Sequence, residues 1–522
     1  MPSCAVASGA LILLPFVWLA LAYFRVLRLR RRMPPGPFPL PLVGNFFDIP
    51  KHKPWIEWEG WSTTYKSPMV TIWNGHRPVI ICNDIWCISD LLDKRAHIYS
   101  SRPRFVVMGD MTDGTETNQV CQVYGDTWRL HRRLMHGVVG SQAVRKHRQH
   151  QANESKILVK DLLDEPESFV MSIERYSCSV VSILGWGRRI DQVNDPVAQF
   201  ALAVMEGVDF VVPGQYMMEA VPWLSYLPAW LYPLPSAILN SSRRLSRYFA
   251  ALSKEAARDH VEDNFAKNLV TAQEEHGISD GEISTLTANL IGGGVDTTSS
   301  SMISFILAMC VFTGVQQKAQ EELDRVVGHD RSPDWSDESE LPYVRAVVDE
   351  TLRWRTVTIL GGIPHAPVQD DEYNGYFIPK DTAITGNLWA IHRNPRDFPD
   401  PDVFRPERFL GELKAPYPNK KGHNAFGWGR RQCSGQPLAE QGLFITIARM
   451  LWAFDIQPGL DENGKPLKLD IFAYTASENM RPEPFRARFT PRSANIGRLI
   501  GNDATNAREE LRPFDGVTSV RM

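Results

Sequence analysis

The sequence predicts a mainly α-helical fold with small β-sheets, in the α+β class. Residues 283–311 form the longest apolar, helix-compatible stretch in the body of the chain, and residues 438–454 form another. Two pairs of β-like segments are marked by Asn74-Gly75 and Asn374-Gly375, dipeptides typical of hairpin turns. The chain has 522 residues, 43% of them hydrophobic, with no evident linker between residues 40 and 490. These observations favour one large domain with an extensive core.

The amino-terminal segment predicts a membrane anchor. Residues 4–24 carry no charge and are long enough to cross a bilayer as a helix. Five arginines follow between residues 25 and 32, which places the rest of the chain in the cytosol. The alternative is a cleaved signal peptide, but signal peptides carry their basic residues before the apolar run. We therefore expect a transmembrane anchor at 1–24, a basic and proline-rich hinge at 25–37, a main domain at 38–490 and a polar, disordered tail at 491–522.

Composition and motifs exclude several classes of protein. The net charge of −3 argues against a nucleic-acid partner. The seven cysteines are scattered and form no Cys-x-x-Cys pair, so neither a disulfide framework nor a structural zinc site is indicated. No Gly-x-Gly-x-x-Gly or phosphate-binding loop occurs, so the chain has no evident nicotinamide or flavin site of its own.

Cys433 stands in a setting that suits a metal ligand. Residues 426–435 read FGWGRRQCSG and directly precede the apolar run at 438–454. Glycines allow the backbone to turn tightly and to approach a flat object closely. A sulfur just ahead of a helix N-terminus faces the positive end of the helix dipole, which favours thiolate over thiol. The alternative is a glycine-rich turn with a structural cysteine.

The pattern Phe-x-x-Gly-x-Arg-x-Cys-x-Gly in this segment resembles the haem-binding loop of the cytochrome P450 superfamily. The resemblance implies the cytochrome P450 fold, with haem b as cofactor and Cys433 as the axial thiolate on its iron. It also implies that Arg431 pairs with a haem propionate and that Phe426 packs beside the sulfur. Gly429 and Gly435 complete the matched positions.

Two further segments resemble the propionate-binding parts of the same family. Trp128 and Arg132 are one helical turn apart on one face, and an arginine can hold a carboxylate through two hydrogen bonds. The alternative for this segment is an ordinary basic amphipathic helix. His365, in the sequence IPHA, occupies the place where a basic residue meets a propionate in the family.

Residues 292–298 read GGGVDTT and lie inside the longest apolar stretch. Glycine in a helix interior costs about 1 kcal/mol relative to alanine, and an unpaired acid in an apolar helix is also costly. Both penalties indicate function rather than a second membrane span, which is the alternative. The segment resembles the distal helix of the family, in which an acid–alcohol pair, here Asp296 and Thr297, delivers protons for oxygen activation. The groove beside this pair would be lined by Gly293, Gly294 and Thr298.

Glu350 and Arg353 are three residues apart on a predicted helix, a spacing that by itself is typical of a surface ion pair. The sequence Pro-Glu-Arg-Phe follows at residues 406–409. Together they resemble the structural triad of the family, here Glu350, Arg353 and Arg408. We expect the triad to hold the core rather than to do chemistry, because removing one member would leave a buried charge unpaired.

The resemblance also indicates which residues contact substrate. They belong to a loop over the distal haem face, to a strand along the pocket and to a last turn near residue 475. The candidates are Phe105, Val107, Met108, Val357, Ile359, Leu360 and Thr475.

Residues 211–235 are rich in proline and aromatic side chains and nearly free of charge. Such a segment lies either in the core or at a membrane interface, where tryptophan and tyrosine are enriched. We interpret it as a lid that dips into the lipid bilayer, so that apolar substrates enter from the lipid. Packing in the core is the alternative.

From the resemblance we expect a microsomal, fungal-type haem-thiolate monooxygenase of secondary-metabolite biosynthesis, which inserts one oxygen atom of O2 into an apolar small molecule. It would be a single-pass protein of the endoplasmic reticulum membrane, with its catalytic domain in the cytosol. NADPH electrons would come through a partner reductase, with cytochrome b5 as a second donor. Docking would use positive charge on Arg430, Arg431, His131 and Arg133. Two alternatives stay open: a reductase-independent haem-thiolate isomerase or dehydratase, and a membrane-tethered haem sensor.

Overall fold

The computed structural model describes residues 17–192, 194–205, 209, 212–258, 263–413 and 416–521. The longer helices, labelled α1 to α12 in chain order, are Pro54–Thr64, Asp126–Val139, Arg148–Asp164, Phe169–Trp186, Pro196–Met205, Leu234–Arg258, Phe265–His276, Asp280–Val311, Thr313–Val326, Pro342–Trp354, Gln436–Ala453 and Ala494–Leu511. Shorter α-helices are Ile85–Ser89, Ala96–Tyr99, Gly114–Thr117, Met217–Ala220 and Leu388–His392. The π-helical turns are Asp90–Lys94 and Val106–Asp110. The 3₁₀ turns are Ala143–His147, Pro166–Ser168, Pro222–Tyr226, Trp335–Glu340, Pro406–Arg408, Gly429–Arg431 and Arg512–Phe514.

Three small sheets accompany the helices in the described part of the chain. The strands are β1 Met69–Asn74, β2 Arg77–Cys82, β3 Asp371–Tyr373, β4 Tyr376–Ile378, β5 Ala383–Gly386, β6 Phe454–Pro458 and β7 Ala487–Pro491. The pairs β1–β2, β3–β4 and β6–β7 are antiparallel, and β5 joins β2 in parallel. Both predicted hairpins are confirmed, with Gly75 and Gly375 at positive φ in their turns. The mainly helical fold with small sheets is therefore as predicted.

The central helix α8 forms despite its three consecutive glycines because its start is capped and its middle is buried. Ser279 and Glu282 form a capping box, in which each side chain accepts a hydrogen bond from the backbone N–H of the other. The helix packs against α4, α5 and α6, and side chains such as Phe305 and Ile306 are fully buried. Among the described helices it alone is long and apolar enough to span a membrane, but 72% of its most apolar 18-residue stretch is buried inside the protein. It is the core helix of the domain, not a second membrane span.

The predicted anchor lies mostly outside the described residues. Residues 4–16 are not described, whereas residues 17–30 are helical and expose apolar side chains such as Trp18 and Phe24. The anchor at 1–24, the hinge at 25–37 and the domain limits at 38–490 therefore stay predictions.

The expectation of a disordered tail at 491–522 is wrong for the described residues. Helix α12 occupies much of it, and Ser493 caps the helix by accepting a hydrogen bond from the backbone N–H of Ile496 at 3.1 Å. Five apolar side chains spaced three or four residues apart are buried against α3 and its neighbours. They are Ile496, Ile500, Ala504, Ala507 and Leu511. The polar average composition of the segment concealed this amphipathic spacing.

Candidate functional site

One cavity of about 340 Å³ lies in the interior, bordered by α2, α4, α8, α11 and the loop that carries Cys433. Cys433 lines it, as do Trp128, Arg132, His365 and Arg431 of the predicted cofactor set. The structure thus brings together side chains from segments separated by more than 300 positions in the sequence. The structure shows where these side chains lie, and their roles in binding a cofactor stay predictions.

The loop before α11 is shaped by two glycines in the left-handed region. Gly427 has φ of 78° and Gly429 has φ of 56°, and a Cβ on Gly429 would lie 2.2 Å from the carbonyl oxygen of Leu92. The backbone N–H of Cys433 donates to the carbonyl oxygen of Phe426 at 2.9 Å, which closes the loop. Phe426 itself lines the cavity, and Gly435 is the residue directly before α11. The glycines therefore set the position of the sulfur rather than merely adding flexibility.

The electrostatic setting of Cys433 differs in part from the prediction. Burial raises the pKa of the Cys433 thiol, while the backbone N–H groups of Gly435 and Gln436 and the Arg132 guanidinium act to lower it. The helix end thus has the predicted direction of effect on the pKa, but burial is the larger contribution. A bound cation would reverse this balance, because a coordinating thiol is deprotonated.

Three arginines place their guanidinium groups around the cavity without an acidic partner among the described residues. Arg102 and Arg431 donate only to backbone carbonyl oxygens, and Arg132 donates to the hydroxyl of Ser434 at 2.6 Å. Burial lowers the pKa of Arg102 to about 10. Burial and the two neighbouring guanidinium groups lower the pKa of Arg431 to about 8. So much buried positive charge without a carboxylate indicates a site for an anionic ligand.

Aromatic and imidazole groups complete this side of the cavity. The Arg431 guanidinium lies over the ring of Trp128, 4.3 Å from its centre. Burial and the nearby charge of Arg102 hold the pKa of His365 well below its usual value, so the ring is neutral. Its Nδ1 lies 2.9 Å from the carbonyl oxygen of Tyr99. His365 can therefore offer a neutral hydrogen-bonding nitrogen to a ligand, but not a charge.

Arg102 is a cavity residue that sequence reasoning missed. It donates to the carbonyl oxygens of Val120, Ile363 and Pro364, and so connects two loops that both reach the cavity. The only signal in the sequence was an arginine next to proline at the start of an otherwise apolar segment. That signal does not distinguish a surface residue from a buried one.

Helix α8 presents small and polar residues to the cavity. Gly293, Gly294, Thr297 and Thr298 all line it, and these are the positions for which the family resemblance implied a groove. The hydroxyl of Thr297 donates to the carbonyl oxygen of Gly293 at 2.6 Å. A Cβ on Gly293 would meet nothing within 4 Å, so the cavity extends to the helix backbone at this point.

Asp296 does not share this face. Its carboxylate is buried beside the cavity wall, where Oδ2 accepts a hydrogen bond from Nδ2 of Asn479 at 2.8 Å. Burial raises the pKa of Asp296, and the hydrogen bond from Asn479 only partly offsets this. The predicted acid–alcohol pair is therefore adjacent in sequence, but in this structure the two groups point in different directions.

The predicted structural triad is assembled. Both carboxylate oxygens of Glu350 accept hydrogen bonds from Arg353, at 2.7 and 2.8 Å. Arg408 lies 3.5 Å from the same carboxylate, and the side chains of Glu350 and Arg353 are fully buried. Arg353 also donates to the carbonyl oxygens of His392 and Pro401. The triad lies outside the cavity and joins α10 to the segment before the cysteine loop.

Several predicted substrate contacts are not at the cavity. Val357 lines it, but Ile359 and Leu360 face the opposite way, into the apolar cluster around β1 and β2. Phe105, Val107 and Met108 lie in a separate apolar cluster with Met218, and Thr475 does not reach the cavity. These predictions are corrected because Ile359 and Leu360 lie in a turn after Thr358, and Val107 and Met108 lie in the π-helical turn Val106–Asp110. The direction of a side chain in such turns follows from their tertiary packing, which the resemblance did not specify.

Of the four residues predicted to dock a reductase, two are exposed and two are not. Arg430 and Arg133 are exposed. Arg431 lines the cavity, and His131 is fully buried with its Nε2 2.9 Å from a carboxylate oxygen of Glu282. Arg431 and His131 therefore cannot contribute to a docking surface.

The residues present fit a haem group. A planar tetrapyrrole carries two carboxylates, and the three unpaired guanidinium groups offer them partners that the described protein residues do not. The sulfur of Cys433 faces the same cavity, which suits a single soft axial ligand.

Known proteins resemble the chain over most of its length. A family model for Cytochrome P450 matches residues 34–479. Cytochrome P450 monooxygenase 58 of Postia placenta is 34% identical over 487 residues, covering 91% of this chain and 92% of that protein. Cytochrome P450 monooxygenase fogE of Aspergillus ruber is 34% identical over 516 residues, covering 95% and 94%. Cytochrome P450 monooxygenase virE of Hypocrea virens is 33% identical over 531 residues, covering 97% and 93%.

Proposed function

The chain belongs to the cytochrome P450 family of haem-dependent oxidoreductases, and we propose that it inserts one oxygen atom of O2 into an apolar small molecule by hydroxylation, epoxidation or multistep oxidation. One observation carries the proposal. The sulfur of Cys433, three guanidinium groups without acidic partners and the Thr297 hydroxyl all face a single cavity.

Haem bound in this cavity supplies the activation of dioxygen and the transfer of one oxygen atom. Cys433 would hold the iron, and Arg102, Arg132 and Arg431 would neutralise the propionates. Because Trp128 stacks on Arg431, the guanidinium keeps a fixed direction. The chain thus orients the cofactor and contributes no electrons itself.

Thr297 would hold a proton close to the reacting oxygen. Its hydroxyl donates to the Gly293 carbonyl in this structure, so the oxygen lone pairs remain available to accept a hydrogen bond from a ligand or water. Asp296 lies one residue away, and burial raises the pKa of its carboxyl group, so it holds a proton more readily than an exposed aspartate does. A turn of its side chain from Asn479 toward the cavity would complete the relay.

Apolar residues limit access of water to the reaction. Val120, Leu290, Val357 and Ile363 line the cavity, and no acidic side chain lines it within the described residues. An apolar substrate would displace water from these surfaces with a gain of about 25 cal/mol per Å² buried.

Electrons would come from NADPH through a membrane-bound reductase, with cytochrome b5 as a second donor. Arg430 and Arg133 are the exposed positive charges of the predicted docking set. Reversing the charge of Arg133 should raise the Michaelis constant for the reductase, and an unchanged constant would remove Arg133 from this surface.

We place the enzyme on the endoplasmic reticulum membrane with its domain in the cytosol, acting in fungal secondary metabolism. Within the predicted lid, Trp223, Tyr226 and Trp230 expose 60%, 83% and 83% of their surface. Exposed aromatic side chains of this kind support the membrane-interface interpretation over packing in the core. Because the expected anchor would by itself hold the full chain on vesicles, the test is the quenching of tryptophan fluorescence by brominated lipid. We expect changing Trp223 and Trp230 to serine to remove part of this quenching, and unchanged quenching would contradict the lid interpretation.

The decisive experiment is the spectrum of the reduced protein with carbon monoxide. We expect the long-wavelength band typical of thiolate-ligated haem, and its loss in Cys433→Ser. Cys87→Ser is the matched control, since a serine hydroxyl can keep donating to the carbonyl oxygen of Asp84, as the thiol does at 3.1 Å. Protein without haem, or with the band unchanged in Cys433→Ser, would overturn the proposal.

Oxygen consumption separates the monooxygenase from the alternatives. Turnover without NADPH would indicate an isomerase or dehydratase, and haem binding without oxygen consumption under any reductant would indicate a sensor. The Thr297 hydroxyl in the cavity favours the monooxygenase, because the two alternatives need no proton delivery to oxygen.

A further inference from the structure

Asn289 is the one amide side chain that α8 contributes to the cavity. It lies one helical turn before Gly293 and two turns before Thr297, on the same face of the helix. At 1.5 Å per residue, its Cα is about 12 Å from that of Thr297 along the helix axis. A polar group therefore lies in the cavity at a fixed distance from the proposed site of oxygen transfer.

The orientation of the Asn289 amide follows from its neighbour in the distal loop. Asn118 Oδ1 accepts a hydrogen bond from the backbone N–H of Val120 at 3.1 Å, and a backbone N–H can only donate. The same oxygen lies 2.9 Å from Asn289 Nδ2, so Asn289 must present its NH₂ group to it. This leaves Oδ1 of Asn289 for the cavity, and it accepts no hydrogen bond from the described residues.

A second amide lies next to this pair. Gln119 lines the cavity and is more than nine-tenths buried, and its Nε2 has no hydrogen-bond partner among the described residues. Its backbone carbonyl oxygen is held by Arg431 at 3.2 Å, which fixes the residue in place. A buried donor without a partner costs about 1–3 kcal/mol, so a ligand that supplies an oxygen here is favoured.

The charge of the lining limits the ligand further. The cationic side chains at the cavity are the three arginines that fit the propionates, and no carboxylate lines it within the described residues. A cationic ligand would find no partner, and an anionic one would compete with haem for the arginines. The lining of the cavity therefore favours a neutral ligand beside the haem.

We propose that Asn289 selects the substrate, and that the substrate is a neutral, largely apolar molecule carrying a hydroxyl group that donates to Asn289 Oδ1. This rests on the proposed function of the cavity as a monooxygenase site. A hydroxyl also has lone pairs to accept from Gln119, which an alkyl or aryl C–H lacks. Because Asn289 lies two turns from Thr297, the carbon that is oxidised lies at the end of the molecule away from the hydroxyl. The enzyme then acts on an already oxygenated intermediate, and a reaction that introduces or unmasks a hydroxyl must precede it.

Three probes of one shape test the inference on the haem-loaded full chain. They are 2-naphthol, which donates and accepts, 2-methoxynaphthalene, which only accepts, and naphthalene, which does neither. Their dissociation constants would be measured by titration calorimetry and by the change in the haem absorption spectrum. One net hydrogen bond corresponds to a preference of about threefold to tenfold for 2-naphthol over the other two.

The variant Asn289→Leu should remove this preference while leaving the affinity for naphthalene equal or higher. Asn268→Leu makes the same chemical change on the exposed face of α7 and should keep the preference. If Asn289→Leu takes up no haem, Asn289→Ala replaces it, because it removes the same oxygen without adding volume.

Equal binding of the three probes by the native protein, or an unchanged preference in the Asn289 variant, would overturn the proposal. Tighter binding of 2-naphthoate than of 2-naphthol would also overturn it, because the site would then select an anion. The carbon monoxide spectrum of each sample is recorded in parallel. A normal spectrum with no naphthol preference refutes only the role of Asn289, whereas an absent thiolate band refutes the proposed function itself.

Discussion

Adjacent glycines on α8 should respond in opposite ways to the same substitution. A Cβ on Gly293 would meet nothing within 4 Å, whereas a Cβ on Gly294 would lie 2.4 Å from Cγ1 of Val181 on α4. Alanine at either position gains about 1 kcal/mol of helix stability. At Gly294 this gain is opposed by overpacking that costs about 1–3 kcal/mol. Gly293→Ala should therefore stabilise the fold, and Gly294→Ala should be less stable than Gly293→Ala by about 1–3 kcal/mol.

Urea unfolding of the purified variants, followed by far-ultraviolet circular dichroism, measures this difference. The origin of the cost is tested with Val181→Ala, which removes the clashing methyl groups. In a double-mutant cycle, Gly294→Ala and Val181→Ala should couple by about 1–2 kcal/mol, whereas Gly293→Ala and Val181→Ala should be additive. Equal stability of the two glycine variants, or the absence of coupling to Val181, would refute the assignment of Gly294 to helix packing.

Two more predictions concern buried carboxylates. Glu350→Gln should destabilise the fold by about 3 kcal/mol in urea unfolding, because it leaves Arg353 buried and uncompensated. The same change at the exposed Glu372, which pairs with Arg32 at 3.5 Å, should cost less than about 0.5 kcal/mol. Similar losses of stability for the two variants would contradict a buried triad. Burial raises the pKa of Asp296 above its ordinary value of 3.8, so its contribution to stability is present below that pH and is lost as the pH rises through the folded pKa. Asp296→Asn should therefore gain stability relative to the native protein as the pH is raised from 3.5 to 7 in a urea series, and a constant or shrinking difference would show that the carboxylate is not desolvated.

Local patterns in the chain were sufficient for much of the fold. The dipeptides Asn74-Gly75 and Asn374-Gly375 predicted both hairpins, since a tight turn depends on the backbone freedom of its own two residues. The long apolar stretch predicted α8 in the same way. The helix α12 was missed because its apolar residues are spread thinly, at one in three or four, within a polar segment.

The direction of single side chains could not be predicted in the same way. Val357 faces the cavity and Ile359 faces the opposite cluster, although both have the same chemistry and lie in one short segment. Asp296 and Thr297 are neighbours in sequence, yet the partner of Asp296 is Asn479, nearly two hundred residues away. Arg102 became a cavity residue through contacts with Val120, Ile363 and Pro364.

By itself the sequence determined which chemical groups this protein has: a thiol in a glycine-shaped loop, basic residues for a dicarboxylate ligand, and a glycine and threonine notch in an apolar helix. The cysteine loop and the glycine and threonine segment are each encoded within about ten consecutive residues, and the basic residues belong to separate short motifs. Within such motifs turn geometry and helical spacing act. Only the tertiary structure decided which of these groups share one cavity and which side chains, such as Asn289, stand beside them. Which groups share the cavity depends on how distant helices pack, because the direction and burial of a side chain are set by neighbours that local spacing does not specify.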